Sequence, residues 1–217
     1  MKDLENSKID LKWYHPDSFT VGPYKQNLKI LKKLNLNSDS VFIDLGAHRG
    51  EELNYLKDIG CFVYSFECNP LHFENLENIY GSYEKIFLFN RLVTSPANGP
   101  VPVYFKNTSR GGSMSAIREK RSNNIKDFIY VDTISISDFI SSLEHSKIDV
   151  IKLDVEGSEY KIIEDLIDSG KIEMVDLILF ECHKHKIQSD EWQAHRKSVK
   201  LKMKKFDGPP SKFKKWT

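Results

Sequence analysis

The chain is most constrained by an alternation. Five short runs rich in β-branched and aromatic residues are separated by helix-length amphipathic stretches. The runs are Ser40–Leu45 (SVFIDL), Cys61–Phe66 (CFVYSF), Lys85–Val93 (KIFLFNRLV), Ile148–Leu153 (IDVIKL) and Val175–Phe180 (VDLILF). The stretches between them predict helices near Glu51–Ile59, Pro70–Tyr80, Ser137–Glu144 and Ser158–Ser169, the second opened by a proline and the last stopped by Gly170. Nearly continuous apolar strands alternating with helices imply a parallel sheet covered on both faces, an α/β three-layer sandwich.

Outside the repeat, Tyr24, Leu28, Leu31 and Leu34 recur at helical spacing, with Ile30 flanking, so Tyr24–Leu36 reads as an amphipathic lead-in helix behind an irregular arm. We divide the chain into 1–36, arm and helix, and 37–217, the main domain. An insertion at about 95–135 separates the third and fourth strands. It holds VPVYF (Val101–Phe105), the Gly/Ser-rich Asn107–Ser115, and FIYVDTI (Phe128–Ile134), which predicts a strand, and it reads as a flap on the substrate side. Within it, Arg110 to Ser113 is either a lid over the acceptor or an ordinary loop. In the tail, Val199, Leu201 and Met203 alternate with lysines, which predicts a half-buried strand with a basic outer face. That face either protects an edge or binds a polyanion.

Composition narrows the class. With 40% hydrophobic and 29% charged residues in 217, the chain can bury a core and is not disordered. A net charge of +1 excludes the global field of a dedicated nucleic-acid binder, although Lys184–Thr217 holds 11 basic and 3 acidic residues. Three cysteines, Cys61, Cys68 and Cys182, form neither an even framework nor a C-x-x-C pair, which predicts reduced thiols. No apolar window is long enough to span a membrane and the N-terminus lacks an apolar signal core, so the expectation is a soluble cytoplasmic protein.

Open parallel sheets bind ligands beyond the carboxyl ends of their strands. The five runs deliver Asp44, Glu67, Asn90, Asp154 and Glu181 there. The first enters the turn Asp44-Leu-Gly46-Ala47-His48-Arg-Gly50, whose small residues allow close approach to the backbone but lack the three-glycine pyrophosphate pattern. Read alone, it is either a ligand turn or a plain strand-to-helix turn. Glu67 follows 23 residues after Asp44, at the second strand end, where a carboxylate can accept both hydroxyls of a ribose.

VFIDLGAHRG (Val41–Gly50), SFECNP (Ser65–Pro70), VDTISISDFI (Val131–Ile140), IDVIKLDVEGSEYKIIE (Ile148–Glu164) and LILFECH (Leu177–His183) together resemble the FkbM family of class I S-adenosylmethionine-dependent methyltransferases over roughly Ser40–His183. The resemblance implies a Rossmann-like sandwich with a mainly parallel seven-stranded sheet, the last two strands either built from the basic tail or abbreviated. It implies that Asp44, Gly46, Ala47, His48 and Gly50 hold the methionine part of S-adenosylmethionine and that Glu67 takes the ribose. Cys68, Asn90, Arg91 and Leu92 would border the adenine, while Asp154 and Glu156 face the methyl group and acceptor. The family turn usually has Asn where His48 stands.

Methyl transfer from a sulfonium needs an acceptor held in line and a group to take its proton. Asp154, Glu156 and His183 are the candidate catalytic residues. Asp154 and Glu181 are candidate ligands for Mg²⁺ or a similar hard cation. Other readings stand beside these: Asp154, Glu156 and Glu159 capping the helix near Gly157, His183 and His185 as a solvated pair, His48 as a loop hydrogen-bonder, and Cys68 as a small apolar filler. The expected activity is O-methylation of a hydroxyl, of a sugar in a glycan or glycosylated natural product, because the resembled family acts largely on such oxygens. A homo-oligomer or a place in a larger glycan-building protein is compatible with it. Rival readings are an RNA ribose 2′-O-methyltransferase, supported only by the tail, and a non-catalytic docking module. A nicotinamide dehydrogenase ranks below both.

Overall fold

A computed structural model describes residues 23–105, 114–115, 128–184, 187, 189–207 and 211–216. In chain order the elements are α1 (Pro23–Leu31), β1 (Val41–Leu45), α2 (Glu51–Ile59), β2 (Phe62–Phe66), α3 (Pro70–Tyr80), β3 (Ile86–Phe89), β4 (Leu92–Val93), β5 (Val101–Phe105), β6 (Met114–Ser115), β7 (Phe128–Val131), β8 (Thr133–Ile134), α4 (Ile136–Ser142), β9 (Ile148–Leu153), α5 (Glu159–Asp168), β10 (Val175–Phe180), α6 (Asp190–Met203) and β11 (Phe213–Lys215). A 3₁₀ turn, Lys171–Met174, joins α5 to β10.

The main sheet has the order β11-β10-β9-β1-β2-β3, and every pairing in it is parallel. It is the expected α/β sandwich, with six strands among the described residues in place of the seven expected. From β1 the chain moves outward through β2 and β3, then returns to the other side of β1 with β9, β10 and β11. The order therefore reverses between β1 and β9, and in open α/β sheets ligands bind at that reversal.

Pleating sends alternate residues of each strand to opposite faces. Val41, Ile43 and Leu45 of β1, with Ile148, Ile151 and Leu153 of β9, pack under α4, α5 and α6. Phe42, Val63, Val150 and Leu179 pack under α1, α2 and α3, against Leu31, Leu53, Leu56, Leu76 and Tyr80. Asn69 caps α3 by accepting from the Leu71 amide, and Ser135 caps α4 by accepting from the Asp138 amide.

Three expectations are corrected. The run Lys85–Val93 is not one strand: it breaks at Asn90-Arg91, and Leu92–Val93 leaves the main sheet to pair with Thr133–Ile134 of β8. The lead-in helix is shorter than Tyr24–Leu36, ending at Leu31 and unwinding through a turn. The tail alternation is helical. Val199 and Met203, one turn apart, are buried on the same face of α6 as Trp192, while Leu201 is 64% exposed. Alternation over three residues contains an i, i+4 pair and so fits a helix as well as a strand. Ser189 starts the helix by accepting from the Trp192 amide. Among the described residues of the tail only β11 joins the sheet, with Lys214 and Lys215 exposed on the edge strand.

In the insertion, β5 pairs antiparallel with β6 and β7. The inner face of this small sheet carries Val101, Val103, Ile129 and Val131 onto Leu92 and Cys68. The arm, Arg110 to Ser113 and His185 lie outside the described residues. Among the described residues no helix is long and apolar enough to cross a membrane.

Candidate active site

The polar residues that follow the strands stand one position past them and continue the ladder. The amides of Glu181, Asp154 and Glu67 donate to Leu153, Leu45 and Phe89, and those of Gly46 and Ala47 both donate to Phe66. The rim therefore reads Glu181, Asp154, Gly46, Glu67, Asn90 across the sheet.

Gly46 lies where the order reverses. Its φ is +92°, and a Cβ there would stand 2.0 Å from the Asp154 carbonyl oxygen, so only glycine lets the two loops meet. His48 also has positive φ, 51°. Asn and His are among the few side chains that tolerate this region, which accounts for a turn that takes either. The His48 backbone amide donates to Glu67 Oε2 at 2.7 Å, and the Asn69 amide to Glu67 Oε1 at 2.7 Å. Each Glu67 oxygen thus keeps lone-pair capacity for a second donor, which suits a pair of ligand hydroxyls. Burial pushes the Glu67 carboxyl above its usual range, against the pull of these amides.

Asn90 is half-buried and its Nδ2 donates to the Glu67 carbonyl at 2.8 Å, bracing the strand end. Arg91 is exposed and Leu92 buried. The Cys68 thiol, desolvated beside Glu67, is held well above the usual thiol range and stays protonated. Ala47 and Gly50 are buried in the turn, and Gly50 O accepts from Tyr80 Oη.

Asp44 is not on the ligand surface. The pleat turns it under α2, in register with Ser65 on one side and Lys152 on the other, and it is fully buried. Its Oδ1 lies 3.1 Å from Lys152 Nζ, and its Oδ2 accepts from Ser65 Oγ at 3.1 Å. Lys152 Nζ also donates to the Gly46 carbonyl at 2.7 Å and lies 3.6 Å from Glu52 Oε2. Burial pushes the Glu52 carboxyl up to about 8 and raises that of Asp44. Burial works against the Lys152 ammonium too, but Asp44 and Glu52 outweigh it and hold it above the usual lysine range. One ammonium faces two carboxyl groups, and the proton retained by Glu52 balances the set. Lys152 and Glu52 were missed in the sequence reading. The available signal was a lysine inside an otherwise apolar strand, since a buried lysine requires a partner.

Across the crevice the chain turns through positive φ at Glu156 (51°) and Gly157 (118°). This reversal brings Asp154 and Glu156 onto one histidine. His183 is not solvated as one reading expected: it is 1% exposed, and its Nε2 stands 3.6 Å from Asp154 Oδ1, Glu156 Oε2 and Glu181 Oε1. Its Nδ1 lies 2.6 Å from Oε1 of fully buried Glu159, the same oxygen that accepts from the Gly157 amide at 3.0 Å. Glu159 therefore orients a histidine, where the sequence alone suggests a helix cap. The N-cap position of α5 belongs to Ser158, not to Asp154 or Glu156.

A profile of the methyltransferase FkbM domain matches residues 44–206. A probable methyltransferase-like protein 24 of Rattus norvegicus is 36% identical over 56 residues, 26% of this chain and 15% of the relative. Its Homo sapiens counterpart is 35% identical over 54 residues, again 15% of the relative, so the chain aligns to a small part of each. Among solved structures, an S-adenosylmethionine-dependent O-methyltransferase from Thermotoga maritima superposes with a TM-score of 0.43 at 13% identity, over 83% of this chain and 49% of that one. The FkbM profile spans three quarters of the sequence and includes both loops of the crevice, and the chain belongs to the FkbM methyltransferase domain family.

Proposed function

We propose that this methyltransferase domain transfers the methyl group of S-adenosylmethionine to a hydroxyl oxygen of a sugar, in a glycan or glycosylated natural product. The observation that carries the reading is the crevice at the strand-order reversal. A carboxylate with lone-pair capacity for a diol, Glu67, stands on one side, and three carboxylates converge on a buried histidine on the other.

When bound, the cofactor supplies a methyl group on a sulfonium: the new bond forms between the acceptor oxygen and the methyl carbon, and the old carbon–sulfur bond breaks with its electron pair on sulfur. The residues of the chain do the rest. Glu67 takes the ribose hydroxyls, and the turn from Gly46 to Gly50 takes the methionine part. Cys68 and Asn90 to Leu92 border the base. Asp44 acts indirectly, because Lys152 carries its charge to the Gly46 carbonyl and fixes the turn. Asp154 and Glu156, with His183, take the hydroxyl proton. A cation shared by Asp154 and Glu181 would serve the same step by acidifying the hydroxyl.

Supporting the choice of a sugar is the resemblance to a family that acts largely on such oxygens. The test is calorimetric titration with S-adenosylmethionine, followed by transfer of a labelled methyl group to a panel of free and lipid-linked sugars and to RNA. The expected result is cofactor binding that is lost in Glu67→Ala, with label on a sugar. Label on RNA would replace the acceptor, and a chain that binds no cofactor would sink the transferase reading.

A further inference from the structure

We infer that Asp154, Glu156, Glu181 and His183 form a site for a divalent cation of the Mn²⁺ class, with Glu159 as the positioning residue behind it. Ligand atoms of Asp154, Glu156 and His183 all lie within 4.8 Å of one another. Glu181 Oε1 joins them at 3.6 Å from the same histidine nitrogen. A cation bound at about 2.1 Å to each ligand sets neighbouring ligands about 3 Å apart, so small side-chain rotations close the cage.

The acidic groups alone would not make a site. The independent observation is how His183 is held. It is almost fully buried, aimed at all three carboxylates, and its other nitrogen sits 2.6 Å from Glu159, which is itself fixed by the Gly157 amide. A carboxylate behind the imidazole is the arrangement that sets the tautomer and orientation of a ligating histidine. With Nδ1 held against Glu159, Nε2 is the ring nitrogen that faces the three carboxylates. The remaining oxygen of buried Glu159 has no hydrogen-bond partner, which adds to the negative field.

The donor set also selects among cations. Carboxylates suit Mg²⁺, Ca²⁺ and Mn²⁺, whereas imidazole suits Zn²⁺, Fe²⁺ and their neighbours, and three oxygens with one nitrogen fall where Mn²⁺ overlaps both. Mg²⁺ prefers to keep several of its waters and gains less from a buried imidazole. The inference deepens the transferase reading: with the cation bound, Asp154, Glu156 and His183 would ligate it instead of taking the proton, and the acceptor hydroxyl it acidifies would give its proton to water, but the geometry does not involve the cofactor.

The experiment uses the whole chain stripped of metal, with Mn²⁺ followed by its free-ion electron paramagnetic resonance signal and S-adenosylmethionine titrated separately. We expect one Mn²⁺ per chain, displaced by equimolar Zn²⁺ but by Mg²⁺ only in large excess. Asp154→Asn and His183→Asn should each weaken binding at least about tenfold, and Glu159→Gln by about 10–100-fold. Asp154 is partly exposed, so its variant keeps the test valid if the histidine variant does not fold. Glu67→Gln should lose cofactor and retain Mn²⁺. A chain that binds cofactor but leaves Mn²⁺ free overturns the cation site alone, as does Mn²⁺ binding unchanged in both ligand variants. Loss of cofactor binding with Mn²⁺ retained would sink the transferase reading instead.

Discussion

Two charged clusters flank the crevice, and they differ by two positions along the strands. Asp44 and Lys152 lie inside β1 and β9, so the pleat buries them under α2, where Glu52 completes a closed set. Asp154 and Glu181 stand one residue past β9 and β10, still tied to the ladder by their amides but with side chains about 31% exposed at the rim. Acids hold a loop together through a lysine in the first place and stand partly exposed around a histidine in the second. Position relative to the strand end, and not charge, separates the buried acids from those at the rim.

The comparison breaks if Asp154→Asn leaves methyl transfer intact. A proton acceptor contributes about 10²–10⁴ in rate, so transfer should fall by that range while chemical denaturation shows a stability close to wild type. Lys152→Met should act first on stability, and by freeing the Gly46 carbonyl it should also weaken cofactor binding. It leaves two buried carboxyl groups without their counter-charge, at a cost of about 3–5 kcal/mol in urea unfolding. Gly46 touches both clusters, through its carbonyl to Lys152 and through its Cα to Asp154. Gly46→Ala should therefore cost about 1–3 kcal/mol and weaken cofactor binding as well, in a variant that neither cluster alone explains.

The smallest effect is a pH slope. The folded state keeps the Glu52 proton up to about pH 8, whereas an unfolded glutamate releases it near 4.5. Between these values the native chain binds more protons than the unfolded one, so this group's stabilisation is full below pH 4.5 and is lost as pH rises through 8. Glu52→Gln should flatten that part of the profile and exceed wild type in stability above pH 8. An unchanged slope in unfolding experiments would remove Glu52 from the closed set.

Much of this was legible in the sequence, and the reasons are local. Apolar runs with polar ends gave the strands, their direction and the rim residues, because a strand buried on both faces has few other sequence patterns. The cluster partners were hidden. Glu159 and His183 are 24 residues apart, and only the pairing of β9 with β10 brings their loops together. Asp44 read as a ligand group because sequence shows that an acid follows an apolar run but not which side of the pleat it takes. The α6 error came from a window of three alternating residues, too short to separate period 2 from period 3.6; extending it to Trp192 would have favoured the helix.

The contact between α6 and the acidic loop has an optical consequence. Trp192 is 7% exposed, and its indole Nε1 donates to the Gly157 carbonyl at 2.9 Å, one residue beyond Glu156. Its ring also packs edge-on against Tyr160 of α5. The helix built from the basic tail thus carries an intrinsic fluorophore wired to the loop that bears two of the rim carboxylates. Any ligand that shifts that loop changes the polarity and hydrogen bonding of the indole, so the part of the emission that is lost in Trp192→Phe, beside that of Trp13 and Trp216, can follow occupancy of the rim in the unlabelled protein, on the timescale of binding itself.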